Sequence, residues 1–276
     1  MTKAETEQYA IDVPRVVFSH LMQKMVHAEI VSLEKGVVAG TDKLEAQARL
    51  LGLQYRVYVT PGAEVQPGQV IASVIGNPVQ VTRGEDLLLG TIAKVSGVAT
   101  AAREAVRKAG NIRVVCGAWK KMPVEMKREL RAALNLGGVD TCILPRPFLY
   151  LDKNYIRIFG SLFKALEAAH FFPARPVVVQ LHSEAHLIGE EALAAARSGV
   201  QVVMVDTGRV CDLREVSETL RQEDLRQHVQ LAFAGGLTLS DLDSLQNEDL
   251  DIVDIGRAIL DAPLIDFCYD VVSVED

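Results

Sequence analysis

Two glycine-bearing runs near the end of the chain, Ala234-Gly235-Gly236 and Gly256-Arg257-Ala258-Ile259, each follow an apolar stretch of strand character, Val229–Phe233 and Asp251–Ile255. Glycine lets backbone N–H groups approach an anion with no Cβ in the way. Arginine adds a fork of donors that clamps oxygen atoms. In α/β barrels the last two strand-to-helix loops commonly hold phosphate in this manner; two ordinary tight turns with a surface arginine are the plainer reading. A third run, Val202-Val203-Met204-Val205-Asp206, ends on a carboxylate, the position where barrels carry working carboxylates. Capping of the following loop is the competing role for Asp206. Asp254 and His182 also stand near strand ends, the histidine more at home as a hydrogen-bonded structural residue than as a catalyst. The chemistry suggested is the capture of a phosphorylated small molecule.

Such a site needs parallel strands to carry it. From residue 111 onward, β-rich apolar runs are predicted at Arg113–Cys116, Thr141–Leu144, Pro176–Leu181, Gln201–Asp206, Val229–Phe233 and Asp251–Ile255. Helical patterns lie between them at Val124–Leu134, Ile158–His170, Ile188–Arg197, Leu213–Leu220 and Leu239–Leu245. Continuous apolar strands alternating with helices imply a parallel sheet covered by helices. A closed barrel and an open doubly wound sheet both satisfy the alternation. The absence of G-x-G-x-x-G after a first strand weakens the dinucleotide option, and the absence of a lysine within any predicted strand weakens a Schiff-base aldolase.

The first part of the chain has another rhythm. Ala28–Leu33 reads as a strand, Asp42–Leu51 as a helix closed by Gly52, and Tyr55–Val59 as an alternating strand. The spacing from Gly62 through Val65 and Gly68 to Ile71 is shared with lipoyl- and biotinyl-carrier domains. A carrier presents a lysine at its hairpin tip, and none lies between Lys43 and Lys94; the pattern is therefore taken as a structural turn. Gly84–Thr100 is predicted to be the central helix. Leu87, Leu88, Ile92 and Val95 form its apolar face, with small residues at Gly90, Ala93, Gly97 and Ala101. Glycine in a helix interior is unfavourable by about 1 kcal/mol. Two of them imply close approach of a backbone or ligand, or a tight helix crossing in a core.

Composition sets the outer limits. With 276 residues the chain holds one large barrel or two domains, and a formal net charge of −7 argues against general nucleic-acid affinity. No apolar run approaches the roughly 18–20 residues that span a bilayer. The N-terminal stretch lacks a basic region followed by an apolar core, so a cytoplasmic location is expected. Cys116, Cys142, Cys211 and Cys268 form no CxxC pair; buried reduced thiols are expected rather than disulfides or zinc.

The order of residues in the central helix, an acidic residue followed by an apolar run and Ser96-Gly97-Val98-Ala99-Thr100, resembles the quinolinate phosphoribosyltransferase family. So does Lys35-Gly36-Val37-Val38-Ala39-Gly40. The family's D-T-R-K-T-x-P matches Gly117-Ala118-Trp119-Lys120-Lys121-Met122-Pro123, with the motif lysine kept at Lys120 and the motif arginine replaced by Trp119. Leu136-Gly137-Gly138 resembles the family's Gly-Gly-Gly; the His-Arg pair that follows it falls on Thr141-Cys142. The K-x-N-H motif reads Asp152-Lys153-Asn154-Tyr155.

The resemblance implies an N-terminal α/β sandwich-like domain at 1–110, rejoined by a tail at 269–276, and a TIM-type α/β barrel, complete or not, at 111–268. It implies transfer of a phosphoribosyl group from phosphoribosyl diphosphate, with Mg²⁺, to a nitrogen heterocycle in pyridine nucleotide biosynthesis. Glu85, Lys120 and Asp206 are its catalytic candidates, with Asp206 on the ribose hydroxyls. Trp119, Lys121, Arg146, Lys153 and His182 are the substrate-binding candidates, and Gly235, Gly236, Gly256 and Arg257 the phosphate-binding ones. A homodimer with a shared site is implied, with no nucleic-acid or membrane partner. Because Trp119, Thr141 and Cys142 replace cations, with Arg146 and Lys153 as compensation, an acceptor less acidic than quinolinate is expected. The alternative is a non-catalytic paralogue that binds a phosphorylated metabolite as a sensor or assembly partner.

Overall fold

The computed structural model describes residues 12–181 and 187–276. The chain forms two compact units, one of residues up to Thr100 together with Ala262–Asp276, the other of Ala101–Asp261. The chain changes unit at Thr100 and Ala262 rather than at the expected 110 and 268. The second crossing comes early because Ile265 and Phe267 are buried in the core of the first unit.

In the first unit a short helix α1 (Val13–Val17) precedes β1 (Met25–Ser32), β2 (Gly36–Val37), α2 (Thr41–Leu50), β3 (Gln54–Val57), β4 (Glu64–Val65), β5 (Val70–Gly76) and the long helix α3 (Pro78–Ala109). Its last strand, numbered β12 below, is Phe267–Glu275. These strands make a four-stranded antiparallel sheet in the order β12-β1-β5-β3 and a small β2–β4 ladder. Strict alternation of burial along β1 follows from its sequence, with Val26, Ala28 and Ile30 inward. The tail therefore returns as an edge strand.

Helix α3 extends beyond the predicted 84–100 in both directions and has 32 residues. Leu88 and Ile92 are buried as expected, whereas Leu87 is exposed. The Ser96–Thr100 motif docks the Gly36–Gly40 segment: Ser96 Oγ accepts from Ala39 N–H (3.0 Å) and Thr100 Oγ1 from Val37 N–H (2.8 Å). Gly97 is where another backbone approaches, since a Cβ there would lie 1.9 Å from the Pro263 carbonyl oxygen. At Gly90 nothing stands within 4 Å of that position, so its glycine has no packing cause.

The second unit contains β6 (Arg113–Val115), a 3₁₀ turn (Ala118–Lys121), α4 (Val124–Gly137), β7 (Leu149–Leu151), α5 (Lys153–Phe159), α6 (Leu162–Ala169), β8 (Val177–Leu181), α7 (Ile188–Arg197), β9 (Val202–Asp206), α8 (Val210–Gln222), β10 (Gln230–Ala234), α9 (Leu242–Leu245), β11 (Ile252–Asp254) and α10 (Arg257–Leu260). Its six parallel strands run β6-β11-β10-β9-β8-β7, with the first strand paired to the last in sequence, as in a barrel. On the other side of β6 a single bridge joins Val115 to Asp140. Among the described residues no ladder continues from there to β7. One apolar cluster inside the curled sheet draws Val115, Val178, Met204, Ala232 and Ile252 from five strands, with Tyr150 of the sixth packed on it.

Two elements depart from the predicted pattern. Thr141–Leu144 forms no strand; the strand lies at Leu149–Leu151, beyond Pro145 and Pro147, which lack the N–H a ladder needs. Ile143 and Leu144 are nevertheless buried against the sheet interior, which explains their apolar character. The helix expected at Ile158–His170 is two helices, broken at Gly160 in the left-handed region and restarted by Ser161, whose Oγ accepts from Lys164 N–H. The four cysteines are free thiols, but only Cys116 is buried; Cys142 and Cys211 are exposed.

Candidate active site

Strands β9, β10 and β11 are neighbours, with Asp206 in register with Ala234, Val253 with Phe233, and Asp254 with Val115. The two late glycine turns therefore leave one edge of one sheet on adjacent strands. Asp206 sits on that same edge. The turns differ in what they offer. Gly235 (φ 118°) is packed against the loop that follows β9, whereas Gly236 (φ 75°) has open space where a side chain would stand. Gly256 faces the 3₁₀ turn, since a Cβ there would lie 2.6 Å from Ala118 Cβ. The Arg257 side chain is 89% exposed, beside Asp261 at 4.0 Å. Gly236 is thus the glycine of this turn with open space on its side-chain side.

Asp206 receives the side-chain amide of Gln180 from β8. Asp254 Oδ1 accepts the Gly117 N–H at 3.2 Å. Burial raises the Asp254 carboxyl above its ordinary range; the Gly117 N–H opposes this, the Asp206 charge adds to it, and Lys120 and Lys121 pull it down. Tyr150 is likewise raised, by burial first and then by Asp254 and Asp206. Its hydroxyl donates to Met204 Sδ at 3.2 Å, and the Lys120 ammonium stands 5.6 Å from its ring centroid. Burial pushes the Cys116 thiol up to about 11, leaving it an inert packing group.

Around this centre the other candidates are dispersed. The Trp119 indole N–H donates to the Thr141 carbonyl (3.0 Å), and the Arg131 guanidinium of α4 lies 4.7 Å from its ring centroid. One face of the ring is thereby occupied by a cation. Lys121 is exposed at the end of the 3₁₀ turn, and Lys153 is exposed at the start of α5, after the end of β7. Arg146 was expected to compensate for the lost cations. Instead it donates to Gln201 Oε1 (3.1 Å), beside the start of β9 and so at the end of that strand opposite Asp206. The flanking Pro145 and Pro147 hold this segment away from helix. Glu85 is exposed on α3 in the first unit, where its charge joins burial in raising Tyr269. His182 lies outside the described residues.

Gln180 and Tyr150 escaped the sequence reading. Gln180 is the one polar residue within Val177–Leu181, and a side-chain period of two from Val178 places it on the interior face. That signal was available. Tyr150 gave none, because its strand was predicted eight residues too early in the chain.

The quinolinate phosphoribosyl transferase family models match both units, the N-terminal domain over residues 12–96 and the C-terminal domain over residues 98–270. The chain belongs to this family. Members similar to it include the nicotinate-nucleotide pyrophosphorylase [carboxylating] of Rattus norvegicus, 29% identical over 271 residues that cover 96% of this chain and 89% of that one. The enzyme of the same name from Homo sapiens is 28% identical over 244 residues, covering 87% and 80%. The crystal structure of nicotinate-nucleotide pyrophosphorylase from Pyrococcus furiosus superposes with a TM-score of 0.81 at 22% identity, covering 100% of this chain and 78% of that one. This family's fold accounts for both the antiparallel sheet unit and the parallel one. Among the described residues no helix is long and apolar enough to cross a membrane.

Proposed function

We propose that this chain transfers a phosphoribosyl group from phosphoribosyl diphosphate to a ring nitrogen of a heterocycle, releasing diphosphate. The observation that carries the proposal is the placing of Asp206, the Gly235-Gly236 turn and the Gly256-Arg257 turn on three adjacent strands at one edge. Backbone N–H groups at Gly236 and Gly256-Arg257 take the 5-phosphate, and Asp206 takes the ribose hydroxyls, held in place by Gln180. Lys120 and Lys121 neutralise the departing diphosphate. The reaction passes through a ribose with oxocarbenium character, so the protein contributes orientation and charge stabilisation.

Among the described residues no group of three or more metal-binding side chains exists. The carboxylates of Asp206 and Asp254 nevertheless suit a hard cation that arrives on its substrate. Mg²⁺ is commonly bound through one or two carboxylates plus phosphate oxygens and water. It would enter with the diphosphate and supply charge neutralisation there. Quinolinate is the first acceptor to test, because the similar proteins bear the name nicotinate-nucleotide pyrophosphorylase [carboxylating]. Purified protein with phosphoribosyl diphosphate, Mg²⁺ and quinolinate, nicotinate or an azole should release diphosphate with at least one ring. Release with none of them overturns the proposal.

A further inference from the structure

Resting on that reading of the site, we propose that Tyr150 is a positioning residue for Lys120. The face of its ring holds the Lys120 ammonium beside the interior cavity of the parallel sheet, charged and with its N–H donors free, where the diphosphate of the substrate lands.

Lys120 needs such a partner. It stands in the 3₁₀ turn Ala118–Lys121 with its side chain exposed, on a flexible four-carbon stem. Among the described residues no carboxylate is ion-paired with it; Asp254 senses its charge without an ion pair. What it has is Tyr150. The ammonium lies 5.6 Å from the ring centroid, within the range at which an aromatic quadrupole attracts a cation. Both residues line the same cavity of about 90 Å³.

The ring itself is fixed. Its hydroxyl donates to Met204 Sδ on β9 at 3.2 Å, and Phe148 meets it edge to face with centroids 6.4 Å apart. Both aromatic residues pack on the apolar cluster inside the sheet. An ammonium laid on this rigid surface gives up freedom before any ligand arrives, so less is lost on binding.

An aromatic partner also decides what the lysine can still do. A carboxylate in the same place would occupy its donors and cancel its charge, and an incoming phosphate would have to displace it. A ring face attracts the ammonium and consumes neither. The cation therefore meets a polyanion at full charge.

Calorimetric titration of inorganic diphosphate with Mg²⁺, and separately of phosphoribosyl diphosphate with Mg²⁺, into the full chain and its variants tests this. In Tyr150→Leu the affinity for both anions should fall by about fivefold. Tyr150→Met should do the same and serves if the first variant does not fold, whereas Tyr150→Phe keeps the ring and should restore most of the affinity. In a Lys120→Met background the Tyr150→Leu change should cost less than about twofold; a ring that only supports the fold would cost the same in both backgrounds. A second readout needs no ligand. In proton NMR the Lys120 Hε signal, assigned by its loss in Lys120→Met, should be shifted upfield by the ring current in the unmodified protein and in Tyr150→Phe, and return to the ordinary lysine position in Tyr150→Leu. Unchanged affinity in both aliphatic variants, equal losses in the two backgrounds, or an ordinary Hε position in the unmodified protein overturns the proposal. Binding of neither anion by the unmodified protein defeats the transferase reading instead, and an Hε shift that disappears in Tyr150→Leu then still keeps Tyr150 as the residue that positions Lys120.

Discussion

Gly208 and Gly235 pack backbone against backbone between the loops that follow β9 and β10. A Cβ on Gly208 would lie 2.1 Å from the Gly235 carbonyl oxygen, and one on Gly235 would lie 2.2 Å from the Gly208 nitrogen. The Gly208 N–H donates to the Ala234 carbonyl at 2.9 Å, fixing the two loops together. The glycine of the late turn that first suggests anion binding is thus required by the neighbouring loop. Its successor, Gly236, is the one left open.

The two glycines should therefore separate on substitution. Gly235→Ala forces a clash with backbone and should destabilise the protein by about 2–4 kcal/mol. Gly236→Ala meets no neighbour and should cost about 1 kcal/mol for its positive φ. Denaturant unfolding of both variants measures this, and equal losses would contradict it.

A similar contrast holds within α3. Gly97→Ala drives a Cβ into the Pro263 carbonyl and should destabilise markedly, whereas Gly90→Ala should stabilise by up to about 1 kcal/mol through helix propensity alone. Thermal melts of the two variants should move in opposite directions.

Asp249 anchors an ionic cluster on the second unit. Arg226 donates to both of its oxygens, at 2.9 and 2.8 Å, and Ser217 Oγ donates at 2.5 Å. Burial opposes its ionisation, yet these hydrogen bonds and the charges of Arg226 and Arg221 hold it below the ordinary carboxylate value. A lowered folded pKa adds stability that is complete above the unfolded value, about 3.9, and is lost as pH falls through the folded one. Acid unfolding followed by circular dichroism should show a steep loss below about pH 4. Asp249→Asn should flatten that slope while lowering stability at neutral pH by about 3 kcal/mol.

Asp254 has the opposite sign. Its folded carboxyl binds a proton to higher pH than the unfolded one, so stability falls as pH rises from about 4 through the raised value. Asp254→Asn keeps an oxygen for the Gly117 N–H and removes the charge. It should be more stable than the parent at neutral and alkaline pH, with the gap closing as pH falls towards 4. Melts across pH check this, and a gap that widens in acid would contradict it.

Much of the fold could be read from the chain because its signals are local. Alternation along Met25–Ser32, continuous apolar runs at Val202–Asp206 and Gln230–Ala234, and the capping glycines all arise from neighbours in sequence. The failures were tertiary. Ile143 and Leu144 look like a strand because they are buried, but their burial comes from packing with Val115, Val178 and Met204 in the core of the parallel sheet. Arg146 has the right chemistry for an anion, and only the path of its loop sends it to Gln201. The edge formed by Asp206 and the glycine turns was legible from strand endings. The Gln180–Asp206 and Gly117–Asp254 hydrogen bonds were not, since they join residues 26 and 137 positions apart.

Titration of phosphoribosyl diphosphate with Mg²⁺ into the full chain tests the central claim most directly. Saturable binding is expected, weakened at least tenfold in Asp206→Ala and in Gly236→Val, with both variants still folded by circular dichroism. No binding, or affinity unchanged in both folded variants, would contradict the assignment of this strand edge to the phosphoribosyl group.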